Sequence, residues 1–199
     1  MPYRYREMTM FEREEIVRQR RERGYPLHAP PHPFRMAGEY LITAANFEHV
    51  PVMDTPERLT EFEARLLESM DRIGADVPGW VILPNHYHIL VDVSSLDLVS
   101  AVLQQLHGGT SRQWNLEDDL VGQRRVWYKF EDRMIRDTRH FYRALNYIHF
   151  NPVKHGYVSD PFDWPWSSVD IYKEAYGRHW LRENWIAHPP RDFGEGWDD

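Results

Sequence analysis

The sequence predicts an α+β fold, a ferredoxin-like split βαβ sandwich on an antiparallel sheet. Three observations predict it. Runs rich in β-branched and aromatic residues interleave with segments of helical apolar period. Their order is β-α-β-β-α-β-α, the split βαβ pattern plus one helix. The two central runs form a strand pair joined through Pro84-Asn85. Taken in order, residues 9–23 are charged and helix-permissive, and GYPLHAPPHPF, with four prolines between Pro26 and Pro33, reads as an extended arm. Residues 39–49 (EYLITAANFEH) follow a glycine and read as the first strand. Residues 56–73 read as an amphipathic helix: Thr55 is placed to cap it, Pro56 sits in its first turn, and Leu59, Phe62, Leu66, Leu67 and Met70 recur at helical spacing before Gly74. The strand pair is GWVIL (79–83) and YHILVDV (87–93). Residues 96–113 read as a second helix carrying Val99, Val102, Leu103 and Leu106. Its Gly108-Gly109 pair costs about 1 kcal/mol per glycine relative to alanine. Residues 125–135 (RVWYKFEDRMI) read as a fourth strand, and 138–151 as a third helix that Pro152 is expected to end. From Asp160 the chain is rich in Trp, Pro and acid and reads as a surface tail, with a mobile end RDFGEGWDD. The expected divisions are a basic N-terminal helix and arm (1–37), a core domain (38–170) and an acidic C-terminal tail (171–199), with no internal repeat.

Composition bounds the function. The 199 residues suffice for one domain with its own core. Cysteine is absent, which excludes a disulfide framework, a thiolate metal site and a cysteine nucleophile. No apolar run is long enough to span a bilayer, and the N-terminus is charged where a signal peptide would be apolar, so the expectation is a cytoplasmic protein with no membrane partner. The net charge of -7 argues against a polyanion partner for the chain as a whole. Its distribution does not: residues 1–37 carry 8 basic and 5 acidic groups, and residues 123–158 carry 8 basic and 3 acidic ones. Potential follows local charge within a Debye length of roughly 8–10 Å, so basic segments in an acidic chain still suit a polyanion.

Two constellations carry chemistry. In His86-Tyr87-His88 the strand period of two puts both imidazoles on one face, where they can share a metal ion. Tyr87, Ile89, Val91 and Val93 point to the other face, and Asp92 reads as a surface carboxylate. In the helix from 138 to 151, His140, Arg143, Ala144, Tyr147 and Asn151 fall on one side, while Phe141, Leu145 and Ile148 form a core-facing stripe. Tyr147 and Asn151 lie one turn apart and offer a phenol and an amide oxygen. Each also has a bland reading, Tyr147 as a half-buried aromatic and Asn151 as a helix C-cap before Pro152.

LPNHYHILV (83–91) and YIHFNPVKHGYV (147–158), followed by DWPWSS (163–168), resemble the single-tyrosine HUH transposases, in particular the REP-associated tyrosine transposases of bacteria. The resemblance runs from about Glu39 to Ser168 and leaves out both termini. It implies a ferredoxin-like fold with an added catalytic helix. It implies that His86 and His88 bind a divalent ion, Mg²⁺ or Mn²⁺. Tyr147 matches the catalytic nucleophile, and Asn151 matches a third metal-ligand position where some relatives carry the longer glutamine. Such enzymes cut single-stranded DNA near a hairpin, form a 5′-phosphotyrosine with a free 3′-hydroxyl, and rejoin strands. Free tyrosine titrates near pH ~10, so the attack needs a polarised phosphate, which a divalent ion supplies. No Gly-rich phosphate loop is present, and no nucleotide cofactor is expected. Arg124, Arg125, Lys129, Arg133, Arg136, Arg139, Arg143 and Lys154 then become DNA-contact candidates around the tyrosine helix, with Trp127 and Tyr128 as stacking surfaces if exposed. The expected partner is single-stranded or hairpin DNA, engaged by a monomer or a homodimer. A non-cleaving DNA-binding protein on the same fold and a metal hydrolase using the histidine pair remain open alternatives.

Overall fold

The computed structural model describes residues 37–190 and Phe193, all within one compact unit, Met36–Glu195. The N-terminal helix and arm expected over 1–37 lie outside the described residues except for Ala37, as does the expected mobile end at 191–199 except for Phe193. Four strands, β1 (Gly38–Ala45), β2 (Asp76–Leu83), β3 (His86–Val93) and β4 (Glu131–Met134), form one antiparallel sheet in the order β2-β3-β1-β4. Placing β3 between β1 and β2 makes this the split βαβ arrangement. Helices α1 (Pro56–Asp71), α2 (Leu96–Glu117), α3 (Thr138–Lys154) and α4 (Val169–Ala187) complete the unit.

The capping residues do what their types dictate. Thr55 accepts from the Arg58 amide (3.3 Å), Ser95 from Asp97 (3.2 Å) and Asp137 from His140 (2.7 Å), each satisfying an otherwise orphaned N–H in a first helical turn. Helix α2 runs through Gly108-Gly109 because Thr110 and Trp114 beyond them are buried, and that packing outweighs the glycine cost. The fourth strand is shorter than expected. The backbone of residues 125–130 pairs with the first-strand segment at the bridge between Asn46 and Trp127, with Tyr128 N–H on Ala45 O (3.0 Å). Trp127 is buried rather than available to bases: its ring lies 5.2 Å from Phe62 and stacks on His107 at 4.4 Å, and its indole N–H donates to Thr110 Oγ1.

The sheet separates two layers. Phe62 of α1 packs on Tyr87 at 5.1 Å, so the odd-numbered residues of β3 face α1 and α2. Helix α3 covers the opposite face, where His86 and His88 stand. Its close approach depends on Gly79 of β2, because a Cβ there would meet Leu145 Cδ1 at 2.7 Å. Pro152 does not end α3. It lies in the last turn, and the helix closes through Gly156 at φ 73°, with Gly156 N–H on Val153 O (3.0 Å) and Tyr157 N–H on Pro152 O (2.9 Å). Asn151 is therefore a helical residue and not the cap.

DWPWSS acts as a cover for the sheet edge. Ile82 N–H donates to Trp166 O (2.9 Å), Ser168 N–H to Trp80 O (3.0 Å), and the Trp164 indole to Ile82 O (2.9 Å), closing the open side of β2. Beyond it, where a surface tail was expected, α4 forms, with Val169 and Leu181 buried against Phe162. Its apolar period is broken by Gly177, which sits at φ 83° inside the helix, and this hid the helix in the sequence.

Two outcomes test this packing. Gly79→Ala should cost about 1–3 kcal/mol by overpacking, read as a lower denaturation midpoint, and Leu145→Ala in the same chain should relieve part of the loss. His107 Nε2 and the Tyr87 hydroxyl are hydrogen-bonded at 3.0 Å, and burial pushes the His107 pKa down to about 4. Its folded pKa lies below the unfolded value, so its contribution is lost as pH falls from about 6.5 towards 4. In that window His107→Gln should flatten the pH dependence of stability by up to about 1.4 kcal/mol per pH unit.

Candidate active site

Strand β3 presents His86 and His88 to the same sheet face, opposite Ala45 and Thr43 of β1, and both are buried. The turn before β3 orients the first of them. Asn85 Nδ2 donates to His49 O (3.2 Å), which aims Asn85 Oδ1 at His86 Nδ1 (2.7 Å). An amide oxygen only accepts, so Nδ1 carries the proton and Nε2 keeps its lone pair. His88 Nδ1 meets Thr43 Oγ1 at 2.8 Å, and its Nε2 is likewise turned inward and buried.

Helix α3 brings the remaining groups. Asn151 Oδ1 lies 3.0 Å from His86 Nε2. Two acceptors, the oxygens of Asn85 and Asn151, thus face the two nitrogens of one imidazole, and a neutral ring has one N–H to give. Turning the Asn151 amide over, so that Nδ2–H donates to Nε2, satisfies the pair, and a cation held there by Nε2 and Oδ1 would satisfy it as well. His86, His88 and Asn151 fit a hard divalent ion, and Asn151 Nδ2, buried with no hydrogen-bond partner among the described residues, leaves the amide oxygen as the group in use. Among the described residues no three His, Asp or Glu side chains gather for a metal, so a metal held here by the histidine pair would need a donor of another type, such as the Asn151 amide oxygen.

Tyr147 packs edge-on against His88, ring centroids 5.0 Å apart, and is 3% exposed. Lys154 Nζ lies 3.5 Å from its hydroxyl and 5.2 Å from its ring centre. Helical side chains lean back over the preceding turns, which lets residue 154 reach residue 147. Phe193 packs on the Tyr147 ring at 5.6 Å, and the Arg143 guanidinium lies 5.5 Å from the Phe193 ring centre.

No family model matches the chain. A Haemophilus influenzae protein named a REP-associated tyrosine transposase is 30% identical over 134 residues, spanning 61% of this chain and 76% of that protein. The chain belongs to the REP-associated tyrosine transposase family. A second family member, from Escherichia coli K12, is 28% identical over 111 residues, covering 53% of this chain and 62% of its own. Among solved structures, a REP-associated tyrosine transposase bound to a REP hairpin aligns with a TM-score of 0.57 at 22% identity, over 75% of this chain and 87% of that one. That likeness establishes the shared fold.

The basic residues of this family member divide into two sets. Arg124 is committed to the fold, holding Asn115 Oδ1 at 2.8 Å and Asp118 at 2.8 Å. Arg125 donates to Trp127 O and lies over the Phe47 and Tyr128 rings at 5.0 and 5.7 Å. These contacts tie both arginines to the 115–128 region, with Arg125 still exposed. Lys129, Arg136 and Arg139 are exposed, and Arg133, Arg136 and Arg143 gather around His140. Burial, then the Arg136 charge, hold His140 below its usual pKa against the opposing pull of Asp137, with smaller contributions from Arg133 and Arg143. Asp92 is exposed, as expected.

Several residues escaped the sequence reading. Thr43 and Asn85 fix the imidazoles, yet nothing in their spacing marks them. His155, whose ring lies 4.8 Å from His86, follows Asn151 by one turn, a signal the helix period offered. Asn146 binds α4 through the carbonyls of Asn184 (3.1 Å) and His188 (2.8 Å), and Asn184 Nδ2 donates back to it (2.8 Å). His149 sits beside Ser168 Oγ at 3.2 Å, and burial pushes its pKa down to about 3.

Loss of an outer-shell partner typically weakens a metal site by about 10–100-fold. Mn²⁺ titration of the purified protein, followed by paramagnetic resonance, should show a loss on that scale for Thr43→Val and for Asn85→Ala. Asp92→Asn should bind Mn²⁺ as the parent does.

Proposed function

We propose that this chain is a DNA strand transferase that cuts a single strand beside a hairpin through a 5′-phosphotyrosine at Tyr147. The observation that carries the reading is the packing of Tyr147 on His88 at 5.0 Å, with His86 Nε2 3.0 Å from Asn151 Oδ1 in the same cluster. Membership of a transposase family supports a DNA-processing role, and the relative solved with a REP hairpin supports a hairpin as the target. When bound by His86, His88 and Asn151, a Mg²⁺ or Mn²⁺ ion supplies Lewis-acid stabilisation of charge on a phosphate oxygen.

The protein's own groups do the rest. Tyr147 Oη forms a bond to phosphorus as the bond from phosphorus to the 3′-oxygen breaks. The phenol proton passes to solvent, and the departing oxygen gains a proton to become a 3′-hydroxyl. The ammonium of Lys154 adds positive charge beside Oη. A 3′-hydroxyl from another strand end then attacks the phosphotyrosine, restoring a phosphodiester and the free phenol. The phosphodiester energy is kept in the protein linkage, so the cycle needs no ATP. Because Tyr147 is nearly enclosed, Lys154 and Phe193 shift to admit the phosphate. The exposed Lys129, Arg136 and Arg139, with Arg143, would then hold backbone phosphates of the bound strand.

Labelled hairpin DNA with single-stranded flanks, incubated with protein and Mn²⁺ or Mg²⁺, should give a protease-sensitive shifted band on a denaturing gel. The band should vanish in Tyr147→Phe, in His86→Ala and on chelation. Native-gel binding without a covalent band under either metal would mark a binding protein. Strand cleavage that survives Tyr147→Phe but not His86→Ala would mark a hydrolase.

A further inference from the structure

Four rings stand in sequence on the sheet face that α3 covers. Tyr147 meets His88 at 5.0 Å, His88 meets His86 at 5.1 Å, and His86 meets His155 at 4.8 Å, each pair edge to face. Two periods produce the row. Tyr147 lies by His88, and Asn151, one turn later, lies by His86. Four helical residues advance about 6 Å, and two strand residues advance nearly the same, about 6.8 Å. One more four-residue step therefore carries His155 past His86, to the end of the pair away from Tyr147. Residue 155 keeps the helical step because its N–H still bonds Asn151 O, at 3.1 Å. The other three rings are buried, whereas His155 is exposed. Among the described residues the three imidazoles do not gather as a ligand group for a metal, which leaves His155 beside the pair.

Displacement at phosphorus is in line, so the entering and departing oxygens stand on opposite sides of the phosphorus. The Tyr147 oxygen enters at the His88 end of the row. The departing oxygen then leaves toward the His86 end, where the exposed ring of His155 stands. The Lys154 ammonium does not serve that side, because it lies beside the Tyr147 hydroxyl, at 3.5 Å. An imidazole carries at least one ring N–H in either protonation state, so it can donate to an oxygen whether or not it is charged. An oxygen leaving phosphorus gains negative charge, and a donor aimed at developing charge lowers the barrier.

We propose that His155 is a catalytic residue on the departing side of the reaction. Its ring N–H donates a hydrogen bond to the 3′-oxygen while the bond from phosphorus to that oxygen breaks and the bond from Tyr147 Oη to phosphorus forms. The proton that completes the 3′-hydroxyl comes from water. In the joining step, which is the cleavage reversed, the same ring touches the incoming 3′-hydroxyl. This rests on the reading of Tyr147 as the nucleophile of a strand transferase, and adds the group that faces the other oxygen.

The test uses the full chain and two hairpin oligonucleotides of one sequence. One carries the natural 3′-oxygen at the mapped cut position, and the other carries sulfur there. A thiol titrates near pH ~8.5, so sulfur departs as a thiolate without a donor. Covalent adduct formation is timed on denaturing gels with protein in excess and Mn²⁺ present. His155→Ala should slow the oxygen substrate by about 10–100-fold, the scale of one hydrogen bond to a charged oxygen, and leave the sulfur substrate at the parent rate. His155→Gln, which keeps an N–H donor, should recover part of the loss. Mn²⁺ titration followed by paramagnetic resonance should be the same for parent and His155→Ala. An undiminished rate on oxygen, equal slowing of both substrates, or weakened Mn²⁺ binding would overturn the role. Adduct from neither substrate with the parent protein would instead contradict the strand-transferase reading, and the role of His155 with it.

Discussion

Helix α3 rests on the sheet at Gly79, where a Cβ would stand 2.7 Å from Leu145 Cδ1 and the leucine side chain would have to shift. The site depends on that contact. The helix carries Tyr147 and Asn151, and the sheet carries His86 and His88. Only a helix lying this low lets an asparagine, with its short side chain, reach an imidazole on β3 at 3.0 Å.

The interface so formed is unusually polar for the middle of a fold. His86, His88, Asn146, His149 and Asn151 are all buried between sheet and helices. An unsatisfied buried polar group costs about 1–3 kcal/mol, so a merely structural interface would favour apolar side chains here. Two of the five have structural duties: Asn146 fastens α4, and His149 sits against Ser168 in the strip covering β2. The other three converge, and their arrangement makes chemical sense around a cation. The strip and α4 in turn brace the back of α3, so the segment after residue 160 is part of what positions the tyrosine.

Much of this was legible in the residues. The alternation in YHILVDV placed both histidines on one face because a strand period of two admits no other result. The spacing of Tyr147 and Asn151 placed them one turn apart, as found. What failed were inferences from single residues against tertiary packing. Pro152 reads as a helix stop, yet in a last turn its missing N–H does not prevent closure through Gly156. Gly177 broke the apolar period of α4. Trp127, offered as a stacking surface, fills the core between α1, α2 and the sheet, since nothing local tells a buried tryptophan from an exposed one. Arg124 holds Asn115 and Asp118, and Arg125 gives its Nε–H to Trp127 O while staying exposed, surroundings that the sequence did not show.

The central claim is chemical: the oxygen of Tyr147 becomes covalently joined to DNA. Mass spectrometry tests it most directly. The protein is reacted with hairpin DNA and Mn²⁺, denatured, and digested with nuclease and trypsin. Arg143 and Lys154 bound peptide 144–154, in which Tyr147 is the sole tyrosine. A nucleotide phosphate retained on that peptide, localised to Tyr147 by fragmentation, is the expected result. A nucleotide on another residue, or cut DNA with peptide 144–154 unmodified throughout, would contradict it.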